Sequence, residues 1–476
     1  MAVEIYLKEK MVQYLKFAPT PCQDIMFDKL SRFISGDAGK NWLMVISGYA
    51  GTGKTTAISA FILLLKELKH RYILLAPTGR SAKVLANYTG ASAKTIHKQI
   101  YRQKSLKDGE GRFSLDMNKY RNTVFIVDEA SLITVNDGSG TSNSLFGSGN
   151  LLDDLITYVK SNEGNRLVLM GDPAQLPPVG MDISPALDTS YLGLYTEPDE
   201  CRLKSVVRQE QQSGILFNAT LLRREIEDCN LCEPQLNVAD FSDIERIGGG
   251  ELIERISDAI DTYGLDDVAV LCRSNNRANR YNQGIRQSVL FREEQLTKGD
   301  KLMVVKNCYQ FLDKIPELDF IANGDVARLE KIGNYEERYG LHFASATLSF
   351  SDYNNIEIDA KVILDTLTSV TPALSREQQK ELFEGVFADY EHISVKRKRM
   401  EAVREDIYFN ALQVKYATAM TGHKSQGGQW KCVFIDNPFW GEEISLDDKK
   451  WLYTAITRGI ERVYLVNFKD KFFKNN

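Results

Sequence analysis

No stretch of this sequence approaches the roughly 18 uninterrupted apolar residues that a membrane span requires. The N-terminal segment carries Lys8, Glu9 and Lys10 and has no apolar core of the kind that precedes a secretory cleavage site. Both absences point to a chain without a membrane partner, expected in the cytoplasm; a bacterial or phage-infected cell is expected over a eukaryotic organelle. Cysteine is sparse: seven in 476 residues, an odd number without paired spacing. A disulfide scaffold is thereby excluded and reduced thiols are expected. Cys229 and Cys232 form a lone C-x-x-C with no second pair nearby, so they read as ordinary thiols at a helix end rather than as metal ligands. Positive charge is not in excess either. The net charge is −5, unlike the basic balance of a passive nucleic-acid binder. A protein that must release each phosphate as it steps needs only a narrow local groove.

Short apolar strands alternate with amphipathic helices through most of the chain. Trp42–Ser47, Tyr72–Ala76, Val124–Val127 and Arg166–Met170 have the continuous apolar character of buried parallel strands, as do Val268–Cys272, Lys431–Ile435 and Arg462–Val466. The pattern predicts an α/β fold with two doubly wound domains. The polar run 100–122, with Gly109 and Gly111 at a turn, reads as a hairpin or wedge inserted in the first domain; Tyr101 and Phe113 there are candidate stacking residues, though core packing explains them nearly as well. The Gly/Ser/Asn-rich run 136–150 reads as a loop. Alternating runs from Val326, Leu341 and Ile356 predict a small β-barrel, followed by a charged helical stretch at 375–404. Its cluster Lys396–Arg399 reads as a solvated helix face.

The strongest chemical signal follows the first strand. Gly48-Tyr49-Ala50-Gly51-Thr52-Gly53-Lys54-Thr55-Thr56 is a phosphate-binding loop opening a helix. Its glycines allow backbone N–H groups to surround the phosphates, and the helix N-terminus adds a positive dipole end. Lys54 is placed to pair with the β- and γ-phosphates of ATP, and Thr55 offers its hydroxyl to Mg²⁺. A later strand, Val124–Val127, delivers Asp128 and Glu129 to its C-terminal end, where α/β sites lie. Asp128 is expected to hold Mg²⁺ and Glu129 to act as general base on the attacking water. Gly171-Asp172-Pro173-Ala174-Gln175-Leu176-Pro177-Pro178-Val179 follows the next strand, and its Gln175 can hydrogen-bond a γ-phosphate.

In order, these strings resemble the motifs of superfamily-1 helicases, specifically the RecD-like, Dda-like and Pif-like branch. Gly171–Val179 matches the branch's GDxxQLPPV motif. Thr20-Pro21-Cys22-Gln23 resembles the opening motif, which implies that Gln23 contacts adenine. Ala76–Ala82 and Thr95–Lys98 resemble motifs Ia and Ib, Val206–Gln209 the motif IV region, Tyr416–Gly427 motif V and Trp451–Arg458 motif VI. Gly299–Asn307 and Ile321–Asp325 resemble the strings that lead into an SH3-like insertion. The resemblance covers about residues 17 to 463.

That resemblance implies two RecA-like domains. The expected limits are 1–200 for the first, with the inserted wedge at 100–122, and 201–325 plus 415–476 for the second, with the SH3-like barrel at 326–414. Arg208 and Arg458 are implied to reach across the cleft as arginine fingers. Thr78, Thr95 and His97 in the first domain, and Thr421, His423 and Lys424 in the second, are the candidate grip on a strand, through contacts that bond phosphate without reading bases. The implied activity is ATP-dependent translocation on single-stranded DNA, 5′-to-3′, with unwinding of duplex DNA by a monomer. An RNA helicase of the same superfamily and a nucleic-acid-independent, ATP-switched binding protein stay open as alternatives.

Overall fold

The structure is a computed structural model, describing residues 2–474 apart from 16, 104–112, 136–147, 206–212, 309, 313–319 and 442. Among the described residues, eight strands precede residue 204: β1 (Leu43–Gly48), β2 (Arg71–Ala76), β3 (Ala93–Thr95), β4 (Tyr101–Gln103), β5 (Phe113–Leu115), β6 (Thr123–Val127), β7 (Arg166–Gly171) and β8 (Asp199–Leu203). Six form a sheet in the order β3-β2-β6-β7-β1-β8, with every pairing parallel. Its central strands are buried on both faces, and that is why they read as unbroken apolar runs. Met44 and Ile46 point into one core cluster, with helices Pro21–Ser35 and Lys54–Glu67, while Leu43 and Val45 point into the other, with helix Leu151–Lys160. The remaining two strands, β4 and β5, make an antiparallel hairpin in the expected insertion.

Among the described residues ten strands follow: β9 (Ile244–Ile247), β10 (Val268–Cys272), β11 (Lys301–Val304), β12 (Val326–Arg338), β13 (Leu341–Phe350), β14 (Ile356–Ile363), β15 (Leu412–Tyr416), β16 (Ala419–Thr421), β17 (Trp430–Asp436) and β18 (Gly459–Val466). A second all-parallel sheet has the order β16-β10-β17-β18-β9. Strands β11 to β15 close a five-stranded barrel. The barrel takes in β11, which falls before the stretch 326–414 expected from sequence, and all of β15, which runs past its end to Tyr416. The first sheet likewise runs past residue 200, because β8 pairs with β1 as far as Leu203. In the charged stretch that follows β14, Arg399 lies with its guanidinium 3.7 Å from the Phe387 ring centroid and bonds the Phe387 carbonyl. Part-buried, it joins two helices, Arg376–Asp389 and Lys396–Glu405, while Lys396, Arg397 and Lys398 are exposed, as the sequence predicts.

The barrel touches the first domain at the turn after β13. Lys83 Nζ donates to the Ser351 carbonyl at 2.6 Å and lies 3.5 Å from Asp352. Beside it, Asp325 is buried and its Oδ2 accepts the Ala322 N–H at 2.7 Å and the Tyr353 hydroxyl at 2.9 Å. Burial pushes this carboxyl up to about 7, far above the roughly 3.9 of an unfolded Asp. Between those two values the folded state holds the extra proton, so stability falls as pH rises through that window. Asp325→Asn keeps both accepted hydrogen bonds and cannot ionise. Its melting temperature is expected to fall less than wild type's between about pH 5 and about pH 8. Equal slopes in calorimetry would show that this carboxyl does not titrate as described.

Candidate nucleotide site and nucleic-acid interface

Strands β6, β7 and β1 are neighbours in the first sheet, so their C-terminal ends bring three loops side by side. From β1 comes the phosphate-binding loop, with Gly51 at φ 75° and Gly53 at φ 74°, a left-handed backbone that favours glycine. Lys54 Nζ donates to the carbonyls of Gly48 and, at 3.1 Å, Tyr49. Thr55 and Thr56 follow in the first turn of helix Lys54–Glu67. From β6 come Asp128 and Glu129. The Glu129 N–H donates to Asp128 Oδ1 at 2.9 Å, and Glu129 itself sits at φ 53°. A non-glycine residue in that region is uncommon and marks a site where backbone strain is tolerated. Burial, then the Glu129 charge, raises Asp128 above the usual carboxylate range. From β7 comes the loop Asp172–Val179, with Gln175 buried and its Oε1 without a hydrogen-bond partner.

These groups line one cleft of about 1050 Å³ together with Arg458, Thr457 and Gly427 from the second sheet domain. Arg458 is buried, and its guanidinium donates to the carbonyls of Thr454 at 3.1 Å and Gly428 at 3.2 Å and to Thr457 Oγ1 at 3.2 Å. It lines the same cleft as the loop of Lys54 while its guanidinium is bonded within its own domain. Arg208, with the rest of 206–209, lies outside the described residues.

Gln23 is placed differently from the expectation. It is fully buried; its Oε1 accepts the Thr20 N–H at 3.0 Å and its Nε2 lies 3.4 Å from the carbonyls of Thr52 and Gly53. Its amide braces the phosphate-binding loop from behind. Phe17, Pro19, Thr20 and Pro21, not Gln23, form that part of the cleft wall. The reason is the capping box that Thr20 and Gln23 make at the start of helix Pro21–Ser35, which turns the Gln23 side chain inward.

The strand-gripping candidates lie at strand ends of both sheets. Thr78 and Thr95 follow β2 and end β3, which are paired at Ala76 and Thr95. Each hydroxyl caps a helix, Thr78 accepting the Ser81 N–H at 3.2 Å and Thr95 the Lys98 N–H at 3.2 Å. His97 stands between the rings of Tyr101 and Phe320, centroids 5.7 Å and 6.3 Å away. Burial pushes it down to about 4, so at neutral pH it is an uncharged imidazole and not a cationic phosphate contact. Thr421 ends β16 with no cap bond, His423 is exposed and Lys424 is half-buried. The segment carrying them reaches the first domain at Gly427, where a Cβ would meet Ser81 Oγ at 2.0 Å and Thr78 Oγ1 at 3.2 Å. Tyr101 is a core residue whose hydroxyl donates to Asp154 Oδ2 at 2.7 Å, which removes it as a wedge; the Phe113 side chain lies outside the described set. Cys229 and Cys232 are free and exposed.

Sequence reasoning missed Tyr453. It is fully buried in helix Leu446–Ile456 of the second domain, yet its hydroxyl reaches both Asp172 and the backbone of Ala50 in the first. Tyr49 makes a similar crossing, its ring 4.7 Å from the Arg223 guanidinium. Nothing in a string such as Trp451–Arg458 distinguishes an aromatic that crosses a cleft from one that fills a core.

Residues 37–228 match the family described as an AAA domain, and residues 416–466 match the UvrD-like helicase C-terminal domain. These two matches accord with the helicase resemblance carried by the motifs. Among its relatives is an uncharacterized protein of Methanocaldococcus jannaschii, 25% identical over 90% of this chain and 37% of that one. The ATP-dependent RecD2 DNA helicase of Deinococcus radiodurans is 29% identical over 65% of this chain and 40% of its own length. The chain thus spans well under half of those two relatives. A Bacteroides Pif1 helicase, solved with ADP-AlF3 and single-stranded DNA, aligns over 97% of this chain and 95% of its own, at 15% identity and a TM-score of 0.43. This chain has two parallel sheets and a closed five-stranded barrel, the architecture that the resemblance implies. Among the described residues no helix is long and apolar enough to cross a membrane.

Proposed function

We propose that this chain is an ATP-driven motor that moves 5′-to-3′ along single-stranded DNA and unwinds duplex ahead of it. The observation that carries the reading is the shared cleft: Lys54, Asp128, Glu129 and Gln175 from one sheet domain face Arg458 from the other. A triphosphate bound there touches both domains, so its cleavage changes what holds them together.

Lys54, Thr55 and the loop N–H groups take the phosphates, while Phe17, Pro19 and Tyr49 offer apolar walls at the open end of the cleft. The acceptors present, the Thr55 hydroxyl and the Asp128 carboxylate, are hard oxygen donors of the kind Mg²⁺ prefers, and a Mg²⁺ bound to one or two protein oxygens plus phosphates needs no larger cage. When bound, Mg²⁺ would neutralise charge on the phosphates. Glu129 takes the proton of the attacking water. Gln175 orients that water or the γ-phosphate through its unpartnered Oε1 and its amide, and Arg458, with Arg208, stabilises the charge that develops.

For the strand itself, the capped helix N-termini at Thr78 and Thr95 and the segment Thr421–Lys424 supply N–H, hydroxyl and ammonium donors on both domains. The Deinococcus relative's description as an ATP-dependent DNA helicase supports DNA over RNA. A monomer suffices for this mechanism, since both halves of the cleft come from one chain.

Forked duplexes with a 5′ tail, a 3′ tail or neither test the reading directly. Unwinding is expected only with ATP and a 5′ tail. A 3′-tail requirement would overturn the polarity. Absence of both unwinding and DNA-stimulated hydrolysis would overturn the motor.

A further inference from the structure

Two consecutive side chains of helix Leu446–Ile456 leave the second domain and bond the loop after β7. The Tyr453 hydroxyl donates to Asp172 Oδ2 at 2.6 Å and accepts the Ala50 N–H at 2.9 Å. Thr454 Oγ1 accepts the Leu176 N–H at 2.9 Å. From the segment before β17, Gln426 Nε2 donates to the Leu176 carbonyl at 2.7 Å. Both backbone polar groups of Leu176 are therefore satisfied by the other domain. The side chains of Ala174 and Leu176 follow suit, since they pack in the core cluster of the second sheet with Met420, Trp430 and Leu452.

The short segment from Asp172 to Leu176 is thus attached to the first domain by the chain and to the second by everything else. Gln175 stands inside it, between two anchored ends. The segment is stiffened internally, because Asp172 Oδ1 accepts the Ala174 N–H at 3.0 Å and the Asp172 carbonyl accepts the Gln175 N–H at 3.3 Å. Burial holds the Tyr453 hydroxyl well above its ordinary pKa, so it remains a donor. All the side chains involved are buried, where an orphaned donor or acceptor is costly.

We propose that Tyr453 and Thr454, with Gln426, are positioning residues through which the second domain sets Gln175 and the phosphate-binding loop at Ala50. The inference rests on the nucleotide site described above. Its physical content is that a shift of helix Leu446–Ile456 against the first sheet moves Gln175 and Ala50 together. The nucleotide state and the domain arrangement are then coupled at a second place besides Arg458.

The test uses the full chain with Tyr453→Phe, Thr454→Val and the hydroxyl-retaining Thr454→Ser. Amide hydrogen exchange is followed in 48–52 and 172–178, with melting temperature as a control. Losing one buried partner is expected to raise exchange about tenfold, at Ala50 for Tyr453→Phe and at Leu176 for Thr454→Val. With ATP and single-stranded DNA, kcat is expected to fall about tenfold or more while the affinity for a fluorescent ATP analogue changes less than about threefold. Thr454→Ser is expected to restore both readouts. Unchanged exchange in both segments would overturn the proposal, as would a kcat loss that merely tracks nucleotide affinity or melting temperature. Should the wild-type chain hydrolyse no ATP, the functional reading fails, and the exchange measurement still decides the clamp.

Discussion

Glu129→Gln is expected to slow ATP hydrolysis roughly 10²- to 10⁴-fold, the range typical of losing a positioned general base. The substitution keeps the size and reach of the side chain and removes only its ability to take a proton. Nothing in the local fold depends on the carboxylate. The turn at Asp128–Glu129 is held by the Glu129 N–H to Asp128 Oδ1, a backbone donor that glutamine also has. The left-handed φ of 53° is equally strained for both residues. ATP binding therefore survives, because the groups that take the phosphates, Lys54, Thr55 and the loop N–H groups, are untouched. Phosphate release measured at saturating ATP and DNA, beside equilibrium binding of a fluorescent nucleotide, separates the two effects. A turnover within a few-fold of wild type would remove Glu129 from the role of base.

The cleft lined by Lys54, Asp128 and Glu129 was legible in the sequence because its motifs are local. A phosphate-binding loop and an acidic pair need only a strand before them, and buried parallel strands are apolar throughout. The edges were not legible for the converse reason. Strands β3 (Ala93–Thr95) and β8 (Asp199–Leu203) each carry charged residues and are only partly buried, so no apolar run announces them. The barrel was placed correctly at its centre, yet its first and last strands are more than a hundred residues apart, β11 near 301 and β15 near 412, and no local pattern links them. Side-chain roles that depend on tertiary neighbours were hardest. Gln23 carries the expected motif, but a capping box turns its amide toward Thr52 and Gly53. Tyr101 sits in the inserted hairpin, but Asp154 draws its hydroxyl into the core. His97, expected as a hydrogen-bonding contact, is kept neutral by its surroundings, a state that sequence does not announce and that leaves one ring N–H to donate.

Lys54→Ala carries the second large expectation: turnover falls at least roughly 10²- to 10³-fold, as when one preorganised donor to developing charge is removed, and unwinding is lost with it. The case for Lys54 is cleaner than for Arg458. The Arg458 guanidinium donates to Thr454, Gly428 and Thr457 within a buried setting, so Arg458→Ala would orphan acceptors and disturb the helix that carries Tyr453. Among the described residues Lys54 bonds the carbonyls of Gly48 and Tyr49, and its side chain lines the cleft. Water can replace those bonds, so the melting temperature is expected to stay near wild type. The strand-contact candidates, Thr78, Thr95 and Thr421 to Lys424, sit on other loops, so affinity for single-stranded DNA without nucleotide is expected to change little. Loss of hydrolysis with intact DNA binding and folding, read by filter binding and calorimetry, assigns Lys54 to the phosphates. Parallel loss of all three would instead make it a structural residue of the loop, and the cleft would then lose the cation that aligns a triphosphate with Glu129.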